Sequence, residues 1–181
     1  MPQLSLHTPV GDLTLSEEDG ALVAVDWGWG RDQTETPLLA AARDQLHAYF
    51  DGERLEFDLP MAPQGTEYRR RVWAALCRIP PGATRTYGDI ARDAGGSARS
   101  VGGANARNPI PILIPCHRVV AGTGFGGYSG GDGLPTKHYL LDLESRMLRA
   151  RALHNRPSRP RAIPLEVDFN RAMKLLDQTK S

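Results

Sequence analysis

The sequence is poor in cysteine and has no histidine cluster. It contains two cysteines, Cys77 and Cys116, and five histidines in 181 residues. Two cysteines are too few for a disulfide framework, and the scattered histidines lack the spacing of metal ligands. We therefore expect a reducing compartment, no metal ion, no cofactor and a thiol that is free to react.

Long apolar segments are missing as well. No stretch reaches the roughly 18 apolar residues of a membrane-spanning helix. The start of the chain, MPQLSLHTPV, has neither the basic residues nor the apolar segment of a signal peptide. Both absences predict a cytoplasmic protein without a membrane partner. Lysine is also scarce, with 3 residues against 19 arginines, which indicates a GC-rich bacterial genome.

Charge is distributed unevenly along the chain. Residues 1–63 hold 3 Lys and Arg against 12 Asp and Glu, residues 64–150 hold 12 against 6, and residues 151–181 hold 7 against 3. An acidic first third followed by a basic remainder indicates that the second part meets a polyanion. Arginines on a solvated surface would give the same totals, so charge alone leaves nucleic-acid binding open.

Residues 1–63 show the pattern of a small α+β structural domain. Three short segments alternate apolar and polar residues, as strands do, and an apolar stripe of helical period runs from Pro37 to Phe50. In the third segment the alternation places Ala21, Val23 and Val25 on one face. A further strand is expected over residues 54–60. This domain carries no catalytic pattern.

A linker and a helix follow. Pro63 and Gly65 interrupt both periodicities, which predicts a linker over residues 61–66. Cys77 lies next to the apolar stripe of the following helix and is expected to be a buried, unreactive thiol. The stripe consists of Tyr68, Val72, Ala75, Leu76 and Ile79.

Two short helices joined by a glycine turn are predicted next. TYGDIARDA and ARSVGGANAR have helical spacing, Gly95 and Gly96 separate them, and Ser97 is in the N-cap position. This is the outline of a helix-turn-helix, although any helical hairpin gives it. Gly102 and Gly103 inside the second helix each cost roughly 1 kcal/mol relative to alanine. We therefore expect a close approach to this helix, by a DNA groove or by another helix of the protein.

The segment NPIPILIPCHRVV, residues 108–120, is the most informative part of the chain. Its prolines exclude a central strand and present Cys116 on a rigid, irregular element. His117 and Arg118 supply a base and a positive charge, the two kinds of neighbour that favour a reactive thiolate. A Cys-His pair alone is usually coincidental, so the surrounding segments decide its meaning.

Taken together, these segments resemble the O6-alkylguanine-DNA alkyltransferases, the family of methylated-DNA–protein-cysteine methyltransferases. The similar blocks stand in the family's order: VWAALCRIPPGATRTYGDIA, ARSVGGANARNP, IPCHRV, GGYSGG and KHYLLDLE. They extend from about Gly65 to Glu144, and residues 1–63 resemble the family's ribonuclease-H-like domain more loosely. The resemblance implies an α+β fold: a small N-terminal α/β domain, then a mainly helical domain with a winged-helix-like helix-turn-helix.

The resemblance also implies an activity and its catalytic residues. The alkyl group of O6-alkylguanine would pass irreversibly to Cys116 after the base flips out of duplex DNA. His117 would take the thiol proton through a water, and Glu144 would orient the imidazole. Asn108 would order the turn beside the thiol, and Tyr87 would donate its hydroxyl to the departing base. Whether O4-alkylthymine is also repaired stays open.

A second set of residues is implied for binding the substrate. Arg99 would fill the space that the flipped base leaves, on a helix that enters the minor groove rather than the major groove. The carbonyls of Cys116 and Val119 would accept the guanine amine, and Tyr128 with Ser129 would close the far wall. The expected partner is double-stranded DNA containing O6-alkylguanine, bound by a monomer. The DNA-binding positions are Ser97, Ala98, Arg99, Gly102 and Gly103.

Two other functions stay open at this point. A protein that binds alkylated DNA without repairing it would use the helix pair and would not need Cys116. A Cys/His hydrolase would have suitable residue types in Cys116, His117 and Glu144, but the sequence shows no evident oxyanion-hole loop.

Two features depart from the family pattern or extend beyond it. Pro135 stands just before the helix that should carry Glu144. Residues 151–181 are a basic extension without an assigned function. A weak amphipathic pattern in this extension is marked by Val167, Met173 and Leu176.

Overall fold

The N-terminal part is a three-stranded antiparallel sheet packed against one helix. The computed structural model describes residues 1–155. Strands β1 (Gln3–Leu6), β2 (Leu13–Glu18) and β3 (Ala21–Trp27) lie in sequential order, and helix α1 (Pro37–Phe50) contacts all three. The apolar stripe of α1 is buried as predicted, because Leu39, Ala42, Leu46 and Tyr49 have no exposed surface.

A β-bulge changes the phase of β3. Leu15 pairs with Val25 while Glu17 pairs with Leu22, which leaves Val23 as the extra residue. Leu22 and Val25 therefore both face the core, three positions apart. The prediction that Ala21, Val23 and Val25 share one face is therefore wrong, because the apolar periodicity of a sequence does not reveal a bulge.

The strand expected over residues 54–60 is also absent from the structure. This segment has no regular secondary structure, and its end meets β3 through a single bridge between Leu22 and Met61. The Leu22 N–H donates to Pro60 O at 2.9 Å, and the Ala62 N–H donates to Leu22 O at 2.8 Å. Pro60 has no N–H to donate, so the ladder does not extend through it.

Helices dominate the second part. Helices α2 (Glu67–Cys77), α3 (Tyr87–Ala94) and α4 (Ala98–Asn105) pack on one another. A parallel pair of two-residue strands, β4 (Arg85–Thr86) and β5 (Val119–Val120), joins the start of α3 to the end of a 3₁₀ turn (Cys116–Arg118). Helix α5 (Leu134–His154) packs against that turn. The expected α+β class is confirmed.

The turn between α3 and α4 requires its glycines. Gly95 and Gly96 have φ of 87° and 82°, a region that residues with a Cβ rarely adopt. A Cβ on Gly96 would lie 2.5 Å from the Ser100 hydroxyl and 2.6 Å from that of Tyr68. Ser97 caps α4 by accepting from the Ser100 N–H at 3.2 Å, as predicted.

Helix α5 continues past the expected start of the extension. Pro135 lies in its first turn, where a missing N–H costs nothing, and the helix ends at His154. The boundary expected at residue 150 therefore falls inside α5. The pattern marked by Val167, Met173 and Leu176 lies outside the described residues. Among residues 1–155, no helix is long and apolar enough to cross a membrane.

Candidate active site

Asparagine side chains hold the turn that carries Cys116. The Asn108 amide donates to Ile114 O at 2.8 Å, and its Oδ1 accepts from the Ile110 N–H at 3.0 Å. The Asn105 amide donates to Cys116 O at 3.3 Å. Asn108 thus lies in the turn where the resemblance places it, whereas Asn105 was not foreseen. Between them, the two amides fix the backbone on both sides of the thiol.

Glu144, wholly buried on α5, accepts hydrogen bonds from three parts of the chain. Its Oε1 accepts from His117 Nε2 at 2.8 Å, Arg118 Nη2 at 2.8 Å and the Tyr49 hydroxyl at 2.9 Å. Its Oε2 accepts from Arg118 Nε at 3.0 Å and the Gly82 N–H at 3.3 Å. A buried carboxylate is stable only with such donors.

The hydrogen bonds to Glu144 fix the proton on His117. Burial raises the pKa of Glu144, but hydrogen bonds from His117 and Arg118 outweigh burial and bring the pKa to about 2. Because the carboxylate is ionised at neutral pH, Nε2 of His117 carries the proton and Nδ1 is the free acceptor. Nδ1 is buried and has no hydrogen-bond partner among residues 1–155. Burial also lowers the pKa of His117, against the attraction of Glu144, so the imidazole is neutral at pH 7.

Cys116 is a buried thiol in its resting state. Burial raises its pKa, and the side chains of Asn108 and Tyr128 and the charge of Lys137 oppose that shift without overcoming it. The expected role of Arg118 beside the thiol is wrong, because its guanidinium binds Glu144 and also donates to Ile79 O at 2.7 Å. The thiol therefore needs a base before it can attack.

A cavity of about 530 Å³ opens beside Cys116. This volume lies within the usual range for a small-molecule pocket, and a nucleobase fits such a space. The sequence-predicted residues Tyr87, Gly102, Tyr128 and Ser129 line it. The end of β3 lines it too, through Val25, Asp26 and Trp27. The N-terminal domain, in which the sequence shows no catalytic pattern, therefore contributes to the wall of the cavity.

Val119 does not line this cavity. It is wholly buried, and its carbonyl accepts from Lys137 Nζ at 2.6 Å. The same ammonium donates to Phe125 O at 2.5 Å and to Gly127 O at 3.1 Å. Lys137 thus ties α5 to the loop that leads to Tyr128. Sequence reasoning missed it, although one of only three lysines in the chain, within the family-like KHYLLDLE block, was an available signal.

The outer face of α4 is open. Ser97, Ala98 and Arg99 are exposed, and Arg99 forms no ion pair within the described part of the chain. A Cβ on Gly102 or Gly103 would meet its nearest protein atom at 4.0 Å or 3.8 Å, which is ordinary contact. Packing inside the protein therefore does not require these glycines, and the approach of an outside partner stays a prediction.

Cys77 is exposed at the end of α2, so the expectation of a buried thiol is wrong. The apolar stripe turns its neighbours Ala75 and Leu76 inward and leaves Cys77 facing outward. The surrounding protein nevertheless raises the pKa of this thiol. Cys77 lies outside the set of residues that line the Cys116 cavity.

Fold and site together define a class of protein. A buried thiol stands next to a histidine–carboxylate pair, on the wall of a cavity that could hold a base, and a helix-turn-helix with an open outer face forms part of that wall. These are the features of a DNA-binding protein with a cysteine nucleophile.

Comparisons with known proteins identify the family within this class. The family model "6-O-methylguanine DNA methyltransferase, ribonuclease-like domain" matches residues 4–63. The model "6-O-methylguanine DNA methyltransferase, DNA binding domain" matches residues 67–146. The chain belongs to the methylated-DNA–protein-cysteine methyltransferase family, and the expected ribonuclease-like and DNA-binding parts are confirmed.

Individual relatives agree over most of the chain. The methylated-DNA–protein-cysteine methyltransferase of Methanosarcina acetivorans is 43% identical over 149 residues, 76% of this chain and 94% of that protein. The constitutive methylated-DNA–protein-cysteine methyltransferase of Bacillus subtilis is 41% identical over 152 residues, which cover 76% of this chain and 92% of that protein. The crystal structure of Mycobacterium tuberculosis OGT in complex with DNA superposes with a TM-score of 0.73 at 39% identity, covering 81% of this chain and 94% of the other.

Proposed function

We propose that this protein repairs DNA by transferring the alkyl group of O6-alkylguanine irreversibly to Cys116. The observation that carries the proposal is the buried His117–Glu144 pair beside a cysteine that lines a cavity large enough for a base. Relatives named methylated-DNA–protein-cysteine methyltransferase, at 41% to 43% identity, support the same activity. The protein acts once, because the thioether that forms has no route back to a thiol.

The reaction begins with removal of the thiol proton. Glu144 holds Nε2 of His117, so Nδ1 accepts the Cys116 proton through a water. The thiolate attacks the alkyl carbon in line, the S–C bond forms, and the bond from that carbon to O6 breaks. The electron pair of that bond stays on the guanine, which leaves as an anion and becomes the unmodified base when it takes up a proton from water.

Tyr87 stabilises the departing guanine. Its side chain lines the cavity, and burial raises its pKa, so the hydroxyl keeps its proton and can donate. A hydrogen bond placed where negative charge develops lowers the barrier to transfer. The Cys116 carbonyl, Tyr128 and Ser129 complete the base site. The Val119 carbonyl, already bound to Lys137, can contact the guanine amine only through its second lone pair.

The helix pair delivers the base to this site. α4 enters the minor groove, its glycines permit close approach, and Arg99 occupies the space in the stack. The Mycobacterium tuberculosis relative solved with DNA supports duplex DNA as the partner. Action as a cytoplasmic monomer belongs to the same proposal. A protein that only binds lesions would have no use for a cavity-lining thiol with its own base, so transfer is favoured over binding alone.

Intact mass spectrometry tests the proposal. After incubation with duplex DNA containing O6-methylguanine, the protein gains the mass of one methylene, and peptide mapping places the added methyl on Cys116. Cys116→Ser binds the duplex but gains no mass, because a hydroxyl is a far poorer nucleophile at neutral pH. The matched control Cys77→Ser gains mass like the wild type. Binding by the wild type without any mass change, or a methyl group on Cys77, contradicts the proposal.

A further inference from the structure

We propose that Tyr49, on helix α1 of the N-terminal domain, is a positioning residue for the His117–Glu144 pair. This inference rests on the proposed function, since it concerns how the Cys116 proton is removed. It gives the ribonuclease-like domain a share in activating the thiol, although all the residues that transfer the proton or the alkyl group lie in the other domain.

The geometry of Tyr49 is that of a fixed donor. The side chain has no exposed surface, and its hydroxyl donates to Glu144 Oε1 at 2.9 Å. The rings of Phe50 and Phe57, each with its centroid 5.3 Å from that of Tyr49, restrict its movement. The hydroxyl is therefore a donor to Glu144 from the first domain, whereas His117, Arg118 and Gly82 belong to the second.

The same oxygen atom serves the catalytic histidine. Oε1 accepts from Tyr49, from His117 Nε2 at 2.8 Å and from Arg118 Nη2 at 2.8 Å. The three donors share the negative charge of Glu144, so each hydrogen bond weakens the attraction between the carboxylate and the other two donors. Without the tyrosine hydroxyl, Glu144 would attract the imidazolium form of His117 more strongly.

The other groups around the pair do not replace this effect. Arg118 binds both oxygens of Glu144, the Gly82 N–H binds Oε2, and the positive charge of Lys137 lowers the pKa of His117. Tyr128 faces the Cys116 thiol rather than the carboxylate. All of these groups stay in place when Tyr49 becomes Phe, so the change removes one hydrogen bond from Oε1 and little else.

A purely structural role for Tyr49 makes a different prediction. A buried hydroxyl needs a partner, and Glu144 would then be only a convenient acceptor. In that case Tyr49→Phe lowers the free energy of unfolding but leaves the pH dependence of transfer unchanged. A positioning role changes the pH dependence, because the transfer needs neutral His117 and the variant holds the imidazolium more firmly.

The first experiment measures single-turnover transfer from an O6-methylguanine duplex across the pH range for wild type and Tyr49→Phe. We expect the acidic limb of the rate profile to move to higher pH by on the order of 0.5 to 1 unit. The matched control Phe50→Leu disturbs the same aromatic cluster without touching Glu144, so it should lose stability and keep the wild-type profile. In a Glu144→Gln background, Tyr49→Phe should have no further effect on the profile.

A second readout does not depend on repair activity. Titration of the His117 ring nitrogens by NMR reports their protonation and tautomer directly, and the Tyr49→Phe signals should shift in the same direction as the rate profile. Coincident rate profiles and coincident ring signals for the two proteins overturn the inference. If the wild type transfers no alkyl group but the His117 signals still differ, the proposed function is wrong and the positioning role of Tyr49 stands.

Discussion

Glu144 is the residue on which the site depends most. One buried carboxylate accepts from His117, Arg118 and Tyr49, and so combines a catalytic contact with the links that hold α1, α5 and the 3₁₀ turn together. Removing one partner of a buried ion pair costs roughly 3 to 5 kcal/mol, because the other charge is left without compensation. Substitutions of Glu144 therefore affect both alkyl transfer and the free energy of unfolding. The pH dependence of unfolding isolates the effect on stability.

We predict that Glu144→Gln destabilises the protein at neutral pH and that the difference from wild type shrinks in acid. The pKa of Glu144 is depressed to about 2 from an ordinary 4.5. Its contribution to stability is therefore fully present above pH 4.5 and is lost as the pH falls towards 2. At about 1.4 kcal/mol per pKa unit, the depressed pKa of Glu144 contributes roughly 3 kcal/mol to the free energy of unfolding.

Urea unfolding of both proteins between pH 7 and pH 3 measures this change. Glu67→Gln, which removes an exposed partner of Arg71, is the matched control and should differ little from wild type at any pH. A stability difference between wild type and Glu144→Gln that stays constant over this pH range would contradict the assigned network.

A substitution on helix α4 distinguishes the effect of base flipping on the repair rate from the effect of alkyl transfer itself. Arg99→Ala should slow repair of O6-methylguanine in a duplex much more than reaction with free O6-benzylguanine, because a free base needs no extrusion. A loss on the order of tenfold or more on the duplex alone is expected from the few kcal/mol that unstacking costs. Single-turnover rates on the two substrates give the comparison. Arg107→Ala, on the turn after α4, is the control. Equal losses on both substrates would show that Arg99 is an ordinary solvent-exposed charge without a role in base flipping.

We predict that Trp27, at the end of β3, limits the size of the alkyl group that the cavity accepts. A Cβ on Gly130 would lie 2.7 Å from Trp27 Cζ2 and 2.8 Å from Tyr128 Cε1, so the indole packs directly on the loop that closes the cavity. Trp27→Ala should raise the rate with O6-benzylguanine relative to O6-methylguanine on the order of tenfold, because it enlarges the pocket. Rates are measured for both free bases. Trp29→Ala, an exposed tryptophan outside the cavity lining, should leave the ratio unchanged, and an unchanged ratio in Trp27→Ala refutes the assignment.

Sequence periodicity predicted the elements better than their contacts. The helices over α1, α3 and α4 follow from apolar stripes, caps and glycines, all of which are local signals. The alternating pattern over residues 54–60 predicted a strand wrongly, because it reflects the burial of apolar side chains beside β3 and not a ladder of hydrogen bonds. Cys116 and His117 were found because the motif places them side by side. Tyr49 and Trp27 were missed because they meet the site across more than 80 residues of intervening chain, and no pattern reports such a contact.

We expect the opposite net charges of residues 1–63 and residues 64–150 to orient the protein on DNA. Residues 1–63 are net negative and residues 64–150 net positive, but several arginines of the second part are paired within the protein. We predict a phosphate footprint of about three contacts, for which affinity should fall on the order of 40-fold between about 50 and 200 mM salt.

Binding titrations with Cys116→Ser on duplexes of different sequence measure the salt dependence without alkyl transfer. Similar affinities across sequences are expected, because contacts to phosphates carry no base information. An affinity that does not change with salt would contradict the footprint. A strong preference for one sequence context would contradict the absence of base readout.

The burial of Cys116 has a consequence for the period before any lesion is met. With 5% of its surface exposed and a raised pKa, the resting thiol offers little thiolate to peroxide or to a bulky disulfide such as oxidised glutathione. Cys77 stands on the surface, where oxidants meet it first. We therefore expect a protein that can react only once to lose little of its acceptor thiol to oxidants before it meets damaged guanine.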